Sequence, residues 1–511
     1  MARMMLGRLT PSPGRDLMAS FVVFLVALPL CMGIAIASGL PPEKGLVTGI
    51  VGGIVGGLLA GSPFQVSGPA AGLAVIVFDI VNTQGVGLLG PILILAGLFQ
   101  VLAAMAGLGR WFRAISPAVI YGMLAGIGAL ILIAQIHVML GRRPEADAIA
   151  NLAAIPQALL GTIDGGSDAA ALLIGLLTIL LMVGWDKLKP RRLRFLPGAL
   201  MGVVAAALAA WLTGAPVAYV DVPGNIMAAL RPPGGGELLG LAQAGVIVTA
   251  LTLAFIASAE TLLSAGAVDR MHDGARTDYN KELRAQGIGN MICGGLGALP
   301  MTGVIVRSST NVQAGAVSRW SAVLHGLWIA LFVLAFPFIL KLIPTASLGA
   351  ILVVTGVKLM EVEAVKRLAG YGRMPLFVYA ATFLGTVFID LLTGVLVGIA
   401  LSFAEVIYKA ARLRVTIEEA GPSRIEMSLE GAATFLQTPR LGAILERLPP
   451  GTELHVRTAP QTYIDHACKD LLENWARQNR SHGARLVEDW QKTGLDKEKQ
   501  GRLEERLVVS R

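Results

Sequence analysis

Apolar runs long enough to cross a bilayer recur along this chain from Leu17 to Leu413, separated by short polar connections. A segment in lipid must satisfy its own backbone hydrogen bonds, so runs of this length are helices. Charged residues make up 15% of the 511 residues, against about 25% in soluble domains. The expected fold class is an α-helical polytopic membrane protein with a smaller polar end. Fourteen transmembrane segments are expected, at 17–38, 44–61, 66–83, 87–107, 114–139, 168–186, 195–214, 241–266, 281–299, 303–315, 319–341, 346–360, 374–390 and 392–411. The stretch 144–163 reads as an interfacial helix.

The formal net charge of +8 sets topology here and implies no nucleic-acid partner. With a cytoplasmic N-terminus, the even-numbered loops carry Arg110 and Arg113, then Lys187, Lys189, Arg191, Arg192 and Arg194, then Arg270, Arg276 and Lys281, then Lys366, Arg367 and Arg373. All fall inside; Arg142 and Arg143 fall outside. Arg3, Arg8 and Arg15 precede a first run too long for a signal peptide, so residues 1–16 are read as a cytoplasmic N-terminus before a retained helix. Cys31, Cys293 and Cys468 show neither metal nor disulfide spacing.

Two segments are too short to span as ordinary helices: 66–83, entered through "GSPFQVSGPAAG", and 303–315, entered through "GALPMTG". Each is third in a half of seven. Short Gly/Pro-interrupted segments in matching positions point to a transporter site built from inverted repeats. The other reading is two ordinary spans whose glycines serve packing. Half-helix N-termini at Gly68–Gly72 and Gly303–Val306 would offer free N–H groups to an anion. Arg307, one turn into segment ten, adds a full charge, unless it pairs with a carboxylate or snorkels.

Other ionisable residues within apolar runs are functional candidates by default. Glu260 in segment eight reads as a cation ligand or titrating coupling group, or as a structural partner of Arg307. Thr261, Ser264 and Thr302 are oxygen donors suited to a hard cation. Asp390 reads as an N-cap; Asp79 could line the site or an interface.

After Leu413 the pattern changes to alternating strands and amphipathic helices, a small α/β domain over 412–490 followed by a charged tail at 491–511. His466 in "YIDHAC" has no metal-ligand spacing and reads as a loop or cap residue.

The stretches "LVALPLCMGIAIASGLPPEKGLVTGIVGGIVGGLLAGSPFQVSGPAAGLAV" and "AETLLSAGAVDRM…DYNKELRAQGIGNMICGGLGALPMTG" resemble the SulP anion transporter family, and the C-terminal domain resembles the cytoplasmic STAS domain of that family. The resemblance implies two inverted repeats of seven helices, split into core and gate domains, and elevator-like transport, commonly as a homodimer. It implies a substrate site from Pro29, where helix one breaks, from Ser67, Gly68, Ala70 and Ala71, and from Gly303, Val304, Ile305, Val306 and Arg307. In bicarbonate-transporting members an acid on helix eight and a hydroxyl on helix ten hold Na+, and Glu260 and Thr302 match those places. Glu where sodium-coupled relatives have Asp makes proton coupling credible. His466 stands where STAS domains often carry a phosphorylatable Ser or Thr. The compact "YIDHAC" form resembles bacterial members associated with carbonic anhydrase-like proteins, which leans the substrate toward bicarbonate.

The expected function is import of a small inorganic anion, bicarbonate first, coupled to Na+ or H+ across a bacterial inner membrane, with both termini cytoplasmic. Sulfate or a dicarboxylate is the alternative substrate, and an exchanger, channel or voltage-responsive motor the alternative mode. No cofactor beyond Na+ is expected, and no catalytic constellation points to an enzyme.

Overall fold

The computed structural model describes residues 13–145, 148–163, 166–190, 193, 196–221, 230–410, 413–421, 423–458 and 462–489. Arg3, Arg8, Arg191, Arg192, Arg194 and the tail at 491–511 lie outside them. The chain divides into two compact units between Ile399 and Ala400.

The first half of the membrane unit comprises α1 (Pro13–Ala37), α2 (Pro42–Val51, continuing through a wider π-type turn at Gly52–Gly56 to Leu59), β1 (Ser67–Pro69), α3 (Ala71–Thr83), α4 (Val86–Met105), α5 (Pro117–Met139), α6 (Ala148–Leu160), α7 (Ser167–Leu188) and α8 (Gly198–Thr213). The second comprises α9 (Ala244–Val268), α10 (Tyr279–Gly295), β2 (Met301–Gly303), α11 (Ile305–Gln313), α12 (Trp320–Ala335), α13 (Thr345–Leu359), α14 (Val362–Gly370), α15 (Arg373–Phe388) and α16 (Leu391–Ala410). Six helices among the described residues are long and apolar enough to cross a membrane, and five shorter apolar helices of 10–17 residues accompany them.

Glycine sets how closely these helices pack. Gly97 and Gly90 of α4 meet Gly287 and Gly294 of α10 backbone to backbone, and Gly128 of α5 meets Gly356 of α13 in the same way. Without a hydrophobic drive between helices in lipid, such small-residue contacts supply the packing. In α2, a methyl group on Gly53 would stand 2.6 Å from Gly326 Cα of α12, and Gly52 lies against the Ser67 and Gly68 backbone. The glycine-rich α2 thus lets both β1 and α12 approach.

The two short segments are each a three-residue strand followed by a helix. β1 and β2 pair antiparallel, Ser67 opposite Gly303, Gly68 opposite Thr302 and Pro69 opposite Met301. Three-residue strands rich in Gly and Pro show no alternation in the sequence, which reads only as an extended approach. Segment nine stops as a helix at Gly295, and Gly297 turns the chain in the left-handed region (φ +62°) toward β2.

One expectation is corrected. Helix one does not break at Pro29: α1 runs unbroken from Pro13 to Ala37 with Pro29 inside it. A proline removes one backbone hydrogen bond, and a helix packed on several sides can bend there without ending. Asp390 does cap α16, accepting from Thr393 N at 2.9 Å.

The second unit continues from α16 into β3 (Leu413–Glu419), β4 (Arg424–Ala433), α17 (Thr438–Leu445), β5 (Glu453–Thr458), β6 (Tyr463–Ile464), α18 (His466–Gln478) and β7 (Arg485–Asp489). The sheet order is β3-β4-β5-β7, with β6 also on β4; only β3–β4 is antiparallel. Alternate strand residues Ile425, Met427, Leu429, Leu454 and Val456 form its core with Leu441, Cys468 and Leu472 of the helices. Asp465 caps α18 by accepting from Cys468 N, and His466 is the first residue of that helix.

Candidate functional site

Two broken helices leave unpaired backbone groups inside an apolar unit, and side chains must satisfy them. Met301 N donates to Asn290 Oδ1 (2.7 Å), Gly303 N to Thr261 Oγ1 (3.1 Å) and Val304 N to Val66 O (3.0 Å). Val66 N donates to Ser308 Oγ (2.9 Å), and Asn311 Nδ2 to Phe64 O (3.0 Å). Behind these, Gln286 holds Ser67 (2.7 Å) and Glu282 (2.9 Å), Asn290 holds Gln100 (2.9 Å), and Gln100 holds Ser258 (3.1 Å). Chains of buried polar groups rigidify what they satisfy. The strand crossing is therefore a fixed cradle.

Beside it lies a cavity of about 50 Å³ lined by Ala71, Gly72, Leu124, Glu260, Leu263, Ser264, Val304, Ile305, Val306, Thr355 and Leu359. The first turns of α3 and α11 form one wall, α9 supplies Glu260, Leu263 and Ser264, and α5 and α13 close the far side with Leu124, Thr355 and Leu359. A second cavity of about 1050 Å³ shares Leu124, Ile305, Val306, Thr355 and Leu359 with the first and extends to Asp186, Lys189, Lys358 and Glu361. A small chamber thus meets a wide vestibule at a five-residue neck.

Of the residues expected at the substrate, Ala71, Val304, Ile305 and Val306 line the small chamber. Pro29, Ser67, Gly68, Ala70, Gly303 and Arg307 do not line either cavity. Arg307 is fully buried; its Nη2 donates to Pro69 O at 3.3 Å, Nη1 rests against Gly68, and Nε and Nη1 have no hydrogen-bond partner. Its charge sits behind β1, facing backbone rather than the chamber. Segment ten is too short for the sequence to tell which way its first turn points.

Among the expected cation-coupling residues, Glu260 and Ser264 line the chamber. Glu260 stands against the first turn of α3: a methyl group on Gly72 would lie 2.9 Å from Oε1 and 3.0 Å from Oε2. Glu260 Oε2 is buried without a partner, and so is Thr302 Oγ1. Thr261 has a backbone role, accepting from Gly303 N. Gln65, which sequence reasoning passed over, lies across Gly303, donates to Thr261 O at 2.9 Å and leaves Oε1 buried without a partner. An uncharged residue in a loop gives no hydropathy signal. These three unpartnered oxygens, around the junction of α9 with β2, are hard donors of the kind an alkali cation takes. Asp79 is exposed and lines neither cavity.

Broken helices crossing beside a chamber, within a unit of apolar helices, define a polytopic membrane transporter. The sequence matches the sulfate permease family over residues 14–382, and the chain belongs to this SulP family of anion transporters. It is 30% identical to the putative sulfate transporter YvdB of Bacillus subtilis, over 93% of this chain and 90% of that protein. It is 25% identical to the bicarbonate transporter BicA of a Picosynechococcus species, over 75% of this chain and 68% of that one. Among solved structures, the transmembrane domain of a cyanobacterial BicA superposes with a TM-score of 0.65 at 22% identity, covering 75% of this chain and 97% of that one. SLC26A9 superposes at 0.75 and 16% identity, covering 96% and 87%.

Proposed function

We propose that the chain imports a small inorganic anion, bicarbonate in the first place, coupled to Na+ or H+. The observation that carries this is the placement of Glu260 in a chamber of about 50 Å³ formed by the first turns of two half-helices. A chamber of this size has room for a small anion such as bicarbonate. An ionised Glu260 and an anion about 4 Å apart would repel by about 4 kcal/mol at an effective dielectric of 20. Neutralising Glu260 by a cation removes that repulsion, which is a physical basis for obligatory co-transport. Glu260, Thr302 and Gln65 would hold Na+, which would supply a compensating charge; a proton on Glu260 does the same.

The vestibule ends at residues bordering loops that charge asymmetry assigns to the cytoplasm, so the state described reads as inward-facing. Movement of the cradle past the α5–α13 wall is the proposed elevator step. Both termini are read as lying on the cytoplasmic side of a bacterial inner membrane, and the second unit as a STAS domain that supports homodimer formation or regulation. The test is uptake of labelled bicarbonate and sulfate into proteoliposomes with Na+ and proton gradients imposed separately. Accumulation of bicarbonate against its gradient is expected under one of them. Sulfate accumulation without bicarbonate transport would move the assignment to sulfate, and uptake that never exceeds equilibrium would make the protein a channel or exchanger.

A further inference from the structure

Five residues line both the small chamber and the vestibule: Leu124, Ile305, Val306, Thr355 and Leu359. Four are aliphatic. Thr355 is the one polar side chain at this neck among the described residues, and any anion entering the chamber from the vestibule passes it. Its hydroxyl donates to Ile351 O one turn back, at 2.8 Å. A hydroxyl has one hydrogen and two lone pairs. With the hydrogen committed to the helix, Thr355 Oγ1 can only accept.

An anion normally meets donors, so an acceptor at the entrance to an anion chamber is selective. Chloride, nitrate and sulfate carry no hydrogen and gain nothing from it. Bicarbonate is an anion that also carries an O–H. The neighbouring vestibule hydroxyls make the contrast sharper in kind: Ser309 and Thr310 of α11 likewise spend their hydrogens, both on Val306 O, at 3.0 and 2.8 Å, but they line only the vestibule. We propose that Thr355 is a specificity-determining residue that accepts a hydrogen bond from the O–H of bicarbonate at the chamber mouth and so favours hydrogen-bearing anions over those without a donor. This rests on the bicarbonate reading above and adds to it the residue that would discriminate.

Nitrate is the matching probe, since it is planar, singly charged and close to bicarbonate in size but has no hydrogen. Titrating the full-length protein in detergent with bicarbonate and with nitrate, in mildly alkaline buffer where bicarbonate keeps its proton, gives the affinity ratio for each variant. Thr355→Val keeps the shape and removes the acceptor; Thr355→Ser keeps the acceptor. The bicarbonate-to-nitrate affinity ratio is expected to fall about five- to tenfold in Thr355→Val, through weaker bicarbonate binding at unchanged nitrate binding, and to return in Thr355→Ser. Equal weakening of both anions in Thr355→Val would show that Thr355 only packs the neck, and an unchanged ratio would likewise overturn the inference; either result leaves the bicarbonate reading in place. An unmutated protein that binds sulfate but no bicarbonate overturns that reading itself, and this inference with it.

Discussion

The two broken segments occupy matching places in the halves of the membrane unit, yet their chemistry is opposite. α3 is apolar almost throughout, and its one carboxylate, Asp79, is exposed. α11 is short and polar, with Arg307, Ser308 and Asn311 all buried. A carboxylate supplied by another helix, Glu260, stands against the first turn of α3. A guanidinium belonging to α11 itself stands behind β1. The antiparallel strands give both helices the same kind of start, so the backbone supplies two N-termini and the side chains make them unequal. The first turn of α3 thus faces a carboxylate from α9, and α11 carries the permanent positive charge.

The largest expected effect tests the α3 end. Glu260→Gln keeps the side-chain shape and removes the charge, so accumulation driven by an imposed Na+ or proton gradient should drop to equilibrium while anion counterflow continues. Vesicle uptake measures both. Undiminished accumulation by this variant takes Glu260 out of the coupling.

The next tests the α11 end. Arg307→Ala should weaken anion affinity by about one to two orders of magnitude through the lost charge, and Arg307→Lys should keep part of it, since the guanidinium's geometry is lost but not its sign. The alanine variant should also be less stable by about 2–4 kcal/mol, because a large buried side chain leaves a void and Pro69 O loses its donor. No ion pair joins Arg307 to Glu260 among the described residues: Nη2 bonds Pro69 O, and the other two nitrogens have no partner. Adding Glu260→Gln to Arg307→Ala should therefore restore none of the stability. Recovery in the thermal melt of the double mutant would mean that the two charges act as one structural pair and that the ends are not specialised.

A smaller effect separates the two strands. A side chain at Gly303 would collide with Gln65, which is tied to Thr261 O, whereas one at Gly68 would meet the end of the Arg307 side chain. Gly303→Ala should cost about 1–3 kcal/mol in melting measurements, as overpacking generally does. It should also disturb cation dependence, while Gly68→Ala should disturb anion affinity. If both substitutions shift the same property, the cradle responds as one body and the comparison loses its meaning.

How far this was legible in the sequence follows from which signals each residue carries. Long apolar runs and Pro/Gly entries mark helices and their interruptions by composition alone, so the two broken segments stood out. Glu260 stood out because an acid between apolar turns is costly in lipid. The pairing of Ser67–Pro69 with Met301–Gly303 did not, since contact across more than two hundred positions leaves no local pattern. The direction of Arg307 was equally hidden, as its place in the first turn of a nine-residue helix fits a side chain facing the chamber or the strand. Gln65 and Thr355 are neutral polar residues that raise no alarm until a cavity and a hydrogen-bond partner give them a role. Pro29 misled in the other direction, because a proline weakens a helix without dictating that it ends.

The smallest expected effect concerns Asp79, the one carboxylate on α3 itself. It lies two turns past Gly72 on the exposed side of the helix, and its backbone carbonyl accepts from Thr83 Oγ1 at 2.7 Å, a bond that the side chain does not take part in. Asp79→Asn should then change stability by no more than about 0.5 kcal/mol, the usual range for exposed positions. It should leave anion affinity and its cation dependence where they are in the unmutated protein. The result bears directly on the contrast between the halves. α3 acts through its first turn and through a charge borrowed from α9, and its own Asp79 takes no part in the site. A shift in cation dependence on replacing Asp79 would give α3 a working carboxylate of its own, and Glu260 would no longer act there alone.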